Sequence, residues 1–215
     1  MRIEPLGDAA YIVRDLGESP AYRVAESLSR LAVPGIQEVN AAYTTIGVYV
    51  DPEEFSLDAL RAALDQSTTY EHSTEARRHS IPVCYELGED LGSSASELGV
   101  SVSELVEAHT SMDYLCYAVG FAPGFAYLGR LPERISGLAR MASPRLRVPA
   151  GAVAIANDLT GVYPGGRPGG WRIIGMTPLT IVDMKDDYFP IAAGDRVRFC
   201  SVTNEEFEER KGQRL

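Results

Sequence analysis

Three segments of this 215-residue chain combine residues suited to holding a small anion against an apolar wall. In Gly120-Phe-Ala-Pro-Gly-Phe-Ala-Tyr-Leu-Gly129, the rings of Phe121, Phe125 and Tyr127 are interleaved with Pro123 and Gly124. Rings on a stiff turn wall an apolar pocket, or else plug the end of a barrel. In Pro144-Arg-Leu-Arg-Val-Pro-Ala-Gly151, Arg145 and Arg147 are one strand pitch apart and point the same way if the segment is extended. Two guanidiniums on one face suit a carboxylate or phosphate, or they pair with acids of residues 80–119. In Thr160-Gly-Val-Tyr-Pro-Gly-Gly-Arg-Pro-Gly-Gly-Trp171, the backbone N–H groups of a Gly-rich loop can cradle an anion. No G-K-[ST] follows and no G-x-G-x-x-G is present, so neither a P-loop nor a dinucleotide fingerprint is predicted.

Two further residues are candidates for proton transfer. His109 is the only histidine outside the 66–80 stretch, which holds His72 and His79. It follows Val102, Leu105 and Val106 at helical spacing, so it lies on the buried face; a core role stands beside a functional one. Asp158, in Asn157-Asp158, is either a general base or a turn residue. No H-E-x-x-H or Cys/His cluster exists, so no catalytic metal is predicted. No G-x-S-x-G or Ser/His/Asp order supports a hydrolase with its own nucleophile.

The elements that must position these groups fall into two textures. Residues 1–79 read as a small α/β sandwich. They show a strand over Ala9–Val13 and a helix opened by Ser19-Pro20, with a stripe of Ala21, Val24, Leu28 and Leu31. Pro34-Gly35 stops that helix. A strand alternating Thr44, Ile46, Val48 and Val50 follows, then a helix capped by Ser56 and striped by Leu57, Leu60 and Leu64. Gln66 to Ser80 reads as linker and strand entry. Residues 80–203 read as a second domain. Ile81–Tyr85 opens it as a strand, and capping boxes at Ser94/Glu97 and Ser101/Glu104 start two short helices. Short strands then follow over Tyr114–Phe121, Val148–Ala156, Trp171–Gly175, Leu179–Asp183 and Arg196–Cys200, which suggests a barrel or sandwich. Residues 204–215 read as a frayed polar tail.

Composition bounds the function. The net charge is −10, with 45% apolar and 23% charged residues, which is ordinary for a globular protein. The acidic balance argues against nucleic acid and anionic membrane as partners. No apolar run reaches the roughly 18 residues of a membrane span, and the first residues lack a signal-peptide h-region. Cys84, Cys116 and Cys200 are widely spaced and odd in number, which does not suit a disulfide framework. A cytoplasmic protein is therefore expected. The charge is uneven, however. Residues 80–119 hold seven acids and no Lys or Arg, whereas residues 120–171 hold two acids and six arginines. The latter stretch also holds ten of the 20 glycines, six prolines and the single tryptophan. A charge asymmetry in a loop-rich segment can mark a site for a small anion.

Taken together, Ile81-Pro-Val-Cys-Tyr85, His109, the Gly120–Gly129 segment, Pro144 to Val153, Thr160-Gly-Val-Tyr-Pro164 and Pro168-Gly-Gly-Trp-Arg-Ile-Ile-Gly-Met-Thr-Pro178 resemble one family. It is the family of the B-type 5-oxoprolinase subunit, also called allophanate hydrolase subunit 1, which contains carboxyltransferase subdomains C and D and a sporulation histidine-kinase inhibitor. The resemblance implies an α+β protein with a small N-terminal α/β domain and a cyclophilin-like β-barrel. It implies a subunit of an ATP-dependent assembly that opens 5-oxo-L-proline to L-glutamate. The partner would be a homologous second subunit (the C-type 5-oxoprolinase subunit, or allophanate hydrolase subunit 2), with room for a third. The substrate residues it points to are Phe121, Phe125, Tyr127, Arg145, Arg147, Thr160, Gly161, Tyr163, Gly169, Gly170 and Trp171. His109 and Asp158 are then the proton-transfer candidates, and an Arg at 145 or 147 holds the substrate carboxylate.

Other readings within this resemblance are a kinase-inhibiting binding module and half of a urea or allophanate-type carboxyltransferase, the only one that calls for biotin. Prolyl isomerase activity rests on fold analogy alone. The chain departs from the family pattern I-A-G-x-Q-T-G at Asn157, Asp158 and Leu159, and has Ala152 where Ser is usual. Loss of the Gln at position 159 removes a hydrogen-bonding group, a kind of change that alters specificity.

Overall fold

A computed structural model describes residues 1–16, 20–69 and 76–215. They form two compact units, Met1–Ala76 and Arg77–Leu215.

In the first unit, β1 (Arg2–Pro5), β2 (Ala10–Arg14), β3 (Ile36–Ala42) and β4 (Thr45–Val50) pair antiparallel in the order β1-β2-β4-β3. Alternation sends Ile46, Val48 and Val50 into the core, against Val24 and Leu28 of α1 (Ala21–Arg30) and Leu60 and Leu64 of α2 (Leu57–Thr69). Leu31, expected on the α1 stripe, instead falls beyond the helix end and is exposed. Pro34-Gly35 ends that region: Gly35 has φ +75°, and a Cβ there would lie 2.6 Å from the Phe55 backbone. The Ser56 hydroxyl accepts from Ala59 N–H and caps α2. The Ser19 cap and His72 lie outside the described residues. The expected 66–80 linker is shorter than read, because α2 runs to Thr69 and the next strand begins at Arg78.

The second unit contains β5 (Arg78–Val83), α3 (Leu91–Leu98), α4 (Val102–Thr110), β6 (Asp113–Val119), β7 (Ala126–Gly129), β8 (Arg145–Val148), β9 (Ala152–Ala156), β10 (Leu159–Val162), β11 (Arg167–Gly169), β12 (Arg172–Met176), β13 (Arg196–Ser201) and α5 (Asn204–Arg210). Its sheet runs β5-β13-β6-β7-β10-β9-β12, antiparallel except for β5 with β13. These ladders leave the sheet open between β5 and β12. One antiparallel bridge, Cys84 with Met176, links the residue after β5 to β12 through hydrogen bonds of 2.8 and 3.0 Å. β8 and β11 form a separate two-stranded ribbon. The fold is thus mixed α and β, with a large, mainly antiparallel sheet and five helices among the described residues.

The strands β7, β10, β9 and β12 are buried on both faces. Leu128, Val162, Val153, Ile155 and Ile174 join the large core with Leu105, Tyr114 and Phe199. Residues of opposite parity, Ala152, Ala154, Ala156 and Ile173, join a second cluster with Phe125, Tyr163 and Trp171. This explains why β9 shows no polar alternation.

Several expectations are corrected. The 148–156 stretch is two strands broken at Pro149–Gly151. Leu179–Asp183 makes only isolated bridges, Thr180 with Arg214 and Asp183 with Tyr188. α3 begins at Leu91 after Asp90, not at a Ser94/Glu97 box; Ser94 is inside the helix and buried. The Ser101/Glu104 box is formed. Residues 204–215 are not a frayed tail: a Thr203/Glu206 capping box starts α5, Phe207 is buried, and Leu215 packs on the large core.

Candidate functional site

The three motif segments meet on the second apolar face. Between β6 and β7 the chain folds into a tight turn in which Gly120 N–H donates to Phe125 O and Phe125 N–H to Ala122 O, both at 3.0 Å. Gly124 takes φ +72° there, and Phe121 takes φ +68°, a value that non-glycine residues rarely adopt. The Phe121 ring remains 65% exposed.

Phe125 is the hub of the rings. Its centroid lies 5.6 Å from Phe121, 5.0 Å from Tyr127, 5.3 Å from Tyr163 and 5.4 Å from Trp171, all edge-on, as ring quadrupoles favour. Arg140 lies over Trp171 at 6.0 Å. Burial raises the Tyr163 phenol above its ordinary value, opposed in part by the Trp171 backbone N–H and by Arg140.

The glycines of this region make room for the rings. A Cβ on Gly161 would lie 2.9 Å from Ala126 O and 3.1 Å from the Phe125 ring, and one on Gly169 would strike the Tyr163 hydroxyl. Gly161→Ala is therefore expected to displace the Phe125 ring and destabilise the chain by about 1–3 kcal/mol, the usual cost of overpacking. Urea denaturation of the purified variant measures this, and unchanged stability would show that the ring yields freely.

The two arginines of β8 separate in role. Arg145 Nη2 donates to Asp90 Oδ1 at 2.6 Å, and its Nε lies 3.5 Å from Glu89 Oε2. Asp90, itself buried, accepts the Ile173 N–H on its other oxygen at 2.7 Å. The hydrogen bond to Asp90 raises the Arg145 pKa above its ordinary value. Arg145 therefore pairs with acids from residues 80–119, and its guanidinium is occupied. Arg147 is exposed, with its guanidinium beside Gly166, and has no ion-pair partner among the described residues.

His109 lies apart from the rings, fully buried on the other face of the sheet. Its Nδ1 is 2.6 Å from the Tyr85 hydroxyl and its Nε2 is 2.8 Å from Thr160 Oγ1. Thr160 donates its single hydroxyl proton to Ala154 O at 3.2 Å, so it accepts at Nε2–H; Nδ1 is then bare and accepts from Tyr85. Phe199 stacks on the ring at 4.5 Å. Burial lowers the His109 pKa to about 3, so the imidazole is neutral.

Asp158 occupies the two-residue turn between β9 and β10 and lies 3.6 Å from Arg130. Asn157 in that turn has φ +53°, a region Asn tolerates best after Gly, which accounts for one departure from the family pattern. Leu159 packs against the ring cluster, with its side chain beside Gly129.

The structure thus gathers Phe121, Phe125, Tyr127, Gly161, Tyr163, Gly169 and Trp171 on one face, and Gly170 accepts Met141 N–H at 2.7 Å beside them. Thr160 points to the opposite face with His109. The sequence reading missed Arg140 and Asp90. Arg140 belonged to the arginine-rich stretch, but Asp90 was one acid among seven. Among the described residues no group of three or more His, Cys, Asp or Glu could hold a metal ion, and no helix is long and apolar enough to cross a membrane.

The chain matches the family described as carboxyltransferase domain, subdomain C and D, over residues 1–191. It is 32% identical to the B-type 5-oxoprolinase subunit of Bacillus subtilis (strain 168) over 98% of this chain and 96% of that protein. It is 40% identical to the B-type 5-oxoprolinase subunit of Escherichia coli O157:H7 over 83% of each. A solved structure, TTHA0988, superposes with a TM-score of 0.81 at 35% identity, covering 91% of this chain and 40% of that longer one. The urea amidolyase of K. lactis shares the fold at 17% identity and a TM-score of 0.70, covering 96% of this chain and 15% of that one. The ordered motifs, the sheet with its ring-bearing face and these matches agree: the chain belongs to the carboxyltransferase subdomain C and D family, alongside the bacterial B-type 5-oxoprolinase subunits.

Proposed function

We propose that this chain is the B-type subunit of a 5-oxoprolinase, working with a homologous second subunit to open 5-oxo-L-proline to L-glutamate at the cost of ATP. The observation that carries the reading is the near-full-length match to two B-type 5-oxoprolinase subunits, together with convergence of the motif rings on one face. In this reading the partly exposed edge of the ring cluster, Phe121 and Tyr127, contacts the apolar part of the cyclic amide, and Arg147 holds its carboxylate. Arg145 braces β8 through Asp90. His109 holds Thr160 and Tyr85 in register from inside the sheet, and Asp158, in the exposed turn between β9 and β10, is the proton-transfer candidate with solvent access. Domain limits of 1–79 and 80–203 come from the change of texture along the sequence, and a cyclophilin-like barrel from the resemblance; the Cys84–Met176 bridge is the support for the barrel.

ATP enters as a co-substrate of the assembled complex. Phe125, Tyr163 and Trp171 are packed on one another and at most 5% exposed, so a ligand of this face would meet its outer edge at Phe121 and Tyr127. The fold shared with urea amidolyase is consistent with the carboxyltransferase alternative, in which biotin would come on another protein. The purified chain alone is expected to release no glutamate from 5-oxo-L-proline and ATP, and reconstitution with its partner subunits to restore release. Full activity of the isolated chain, or an inactive reconstituted complex, would overturn the reading.

A further inference from the structure

We propose that the outer face of β5 and β13, with the start of β6, is a binding site for a phosphate-bearing small molecule, separate from the ring cluster. Parallel pairing sets Arg78 opposite Arg196 and Ser80 opposite Arg198, and antiparallel pairing sets Arg198 opposite Asp113. Strand alternation turns Val197 and Phe199 into the core, so Arg196 and Arg198 project to the other face. Arg78, His79, Ser80, Asp113, Arg196 and Arg198 line a cleft of about 260 Å³. With strands roughly 5 Å apart and alternate residues roughly 7 Å apart, the three guanidiniums can converge on one small anion.

The charge balance of the cleft is the opposite of the chain's. Three guanidiniums face one carboxylate, in a protein of net charge −10. Asp113 bridges Arg78 at 3.1 Å and Arg198 at 3.4 Å. Arg196 has no acid partner among the described residues. His79 and Arg77 are both engaged by the buried Asp195 at 3.1 Å, so that carboxylate does not neutralise the cleft arginines.

The donors left over select the ligand class. The Asp113 carboxylate already occupies one side of Arg78 and Arg198. What remains is the whole Arg196 fork, the free N–H groups of its two neighbours and the Ser80 hydroxyl, which lies 3.3 Å from Cys200 Sγ. A second carboxylate, with two oxygens and one charge, would leave part of this set unused. A phosphate group brings three terminal oxygens and up to two charges. The cleft volume suits a phosphate or diphosphate and leaves any nucleoside outside.

Titration calorimetry of the purified chain with inorganic pyrophosphate at low ionic strength tests this without any partner subunit. Saturable one-to-one binding is expected, with Kd on the order of 0.1 mM. Arg196→Ala should weaken it about tenfold, the value of one charge-assisted fork. Asp113→Asn should strengthen it several-fold by removing a like charge. Unchanged melting temperatures establish that the variants are folded; should Asp113→Asn fail to fold, Arg196→Ala and Ser80→Ala carry the test. ATP binding as tightly as pyrophosphate would identify a nucleotide's phosphate tail as the source, and much weaker ATP binding would identify free phosphate or diphosphate. Absence of pyrophosphate binding, indifference to Arg196→Ala, or equally tight L-glutamate binding would overturn the proposal.

Discussion

Arg147→Ala is expected to lower kcat/KM of the reconstituted complex for 5-oxo-L-proline by about 10- to 100-fold, with no change in melting temperature. A hydrogen-bonded charge pair contributes about 1.5–3 kcal/mol, and each 1.4 kcal/mol is a tenfold change. Arg147 is exposed, so its removal uncovers no buried partner. Arg147→Lys keeps the charge without the planar fork and should fall between. Arg145→Ala is the contrasting case. It strips the guanidinium from Asp90, a buried carboxylate whose other oxygen holds the Ile173 N–H, and should cost about 3 kcal/mol of stability. Steady-state kinetics and thermal melts on the same preparations separate the two. A rate loss confined to Arg145→Ala, with Arg147→Ala unaffected, would move the carboxylate anchor to Arg145.

His109→Ala should be the most destabilising single change considered, at about 3–5 kcal/mol. It opens a cavity under Phe199 and strands the Tyr85 hydroxyl and one Thr160 acceptor in a dry interior. A gentler variant, His109→Gln, isolates the charge effect. The folded imidazole has a pKa of about 3, whereas the unfolded one titrates near 6.5. Between those values the unfolded chain binds a proton that the folded chain refuses. Stability is therefore full above about pH 6.5 and declines by roughly 1.4 kcal/mol per pH unit below it, reaching a loss of about 2 kcal/mol by pH 5. Urea unfolding of wild type and His109→Gln at pH 8, 6.5 and 5 should show a shallower fall in the variant. Identical pH slopes would mean that His109 is protonated in the folded state.

What could be read from residue order was mostly local. The Ser101/Glu104 box marked α4 because its signal spans four residues, and helical spacing placed His109 on a buried face. Its tautomer was not legible, since that depends on Thr160, on a strand far along the chain. Leu179–Asp183 looked like a strand because propensity cannot say whether a neighbour exists to pair with. The ring segments were visible by composition, yet only the register of β7 with β10 shows why Gly161 must lie beneath Phe125. Arg78, Arg196 and Arg198 were invisible as a group. They come from segments more than a hundred residues apart, joined by the one parallel ladder in the sheet. Asp90 was hidden as the partner of Arg145 for a similar reason: the two lie 55 residues apart in sequence.

The alanines of β9 give the ring cluster a shallow floor. Ala152, Ala154 and Ala156 are all fully or almost fully buried beneath side chains that are themselves large. Interior packing leaves little slack, so the height at which Phe125 and Trp171 rest is set by the size of the side chains below them. Enlarging one floor residue by a methyl group would tilt a ring by leverage and move its outer edge, where a ligand would lie, without altering any residue that touches that ligand. Substrate preference can therefore drift from underneath, through positions that composition alone would file as inert packing.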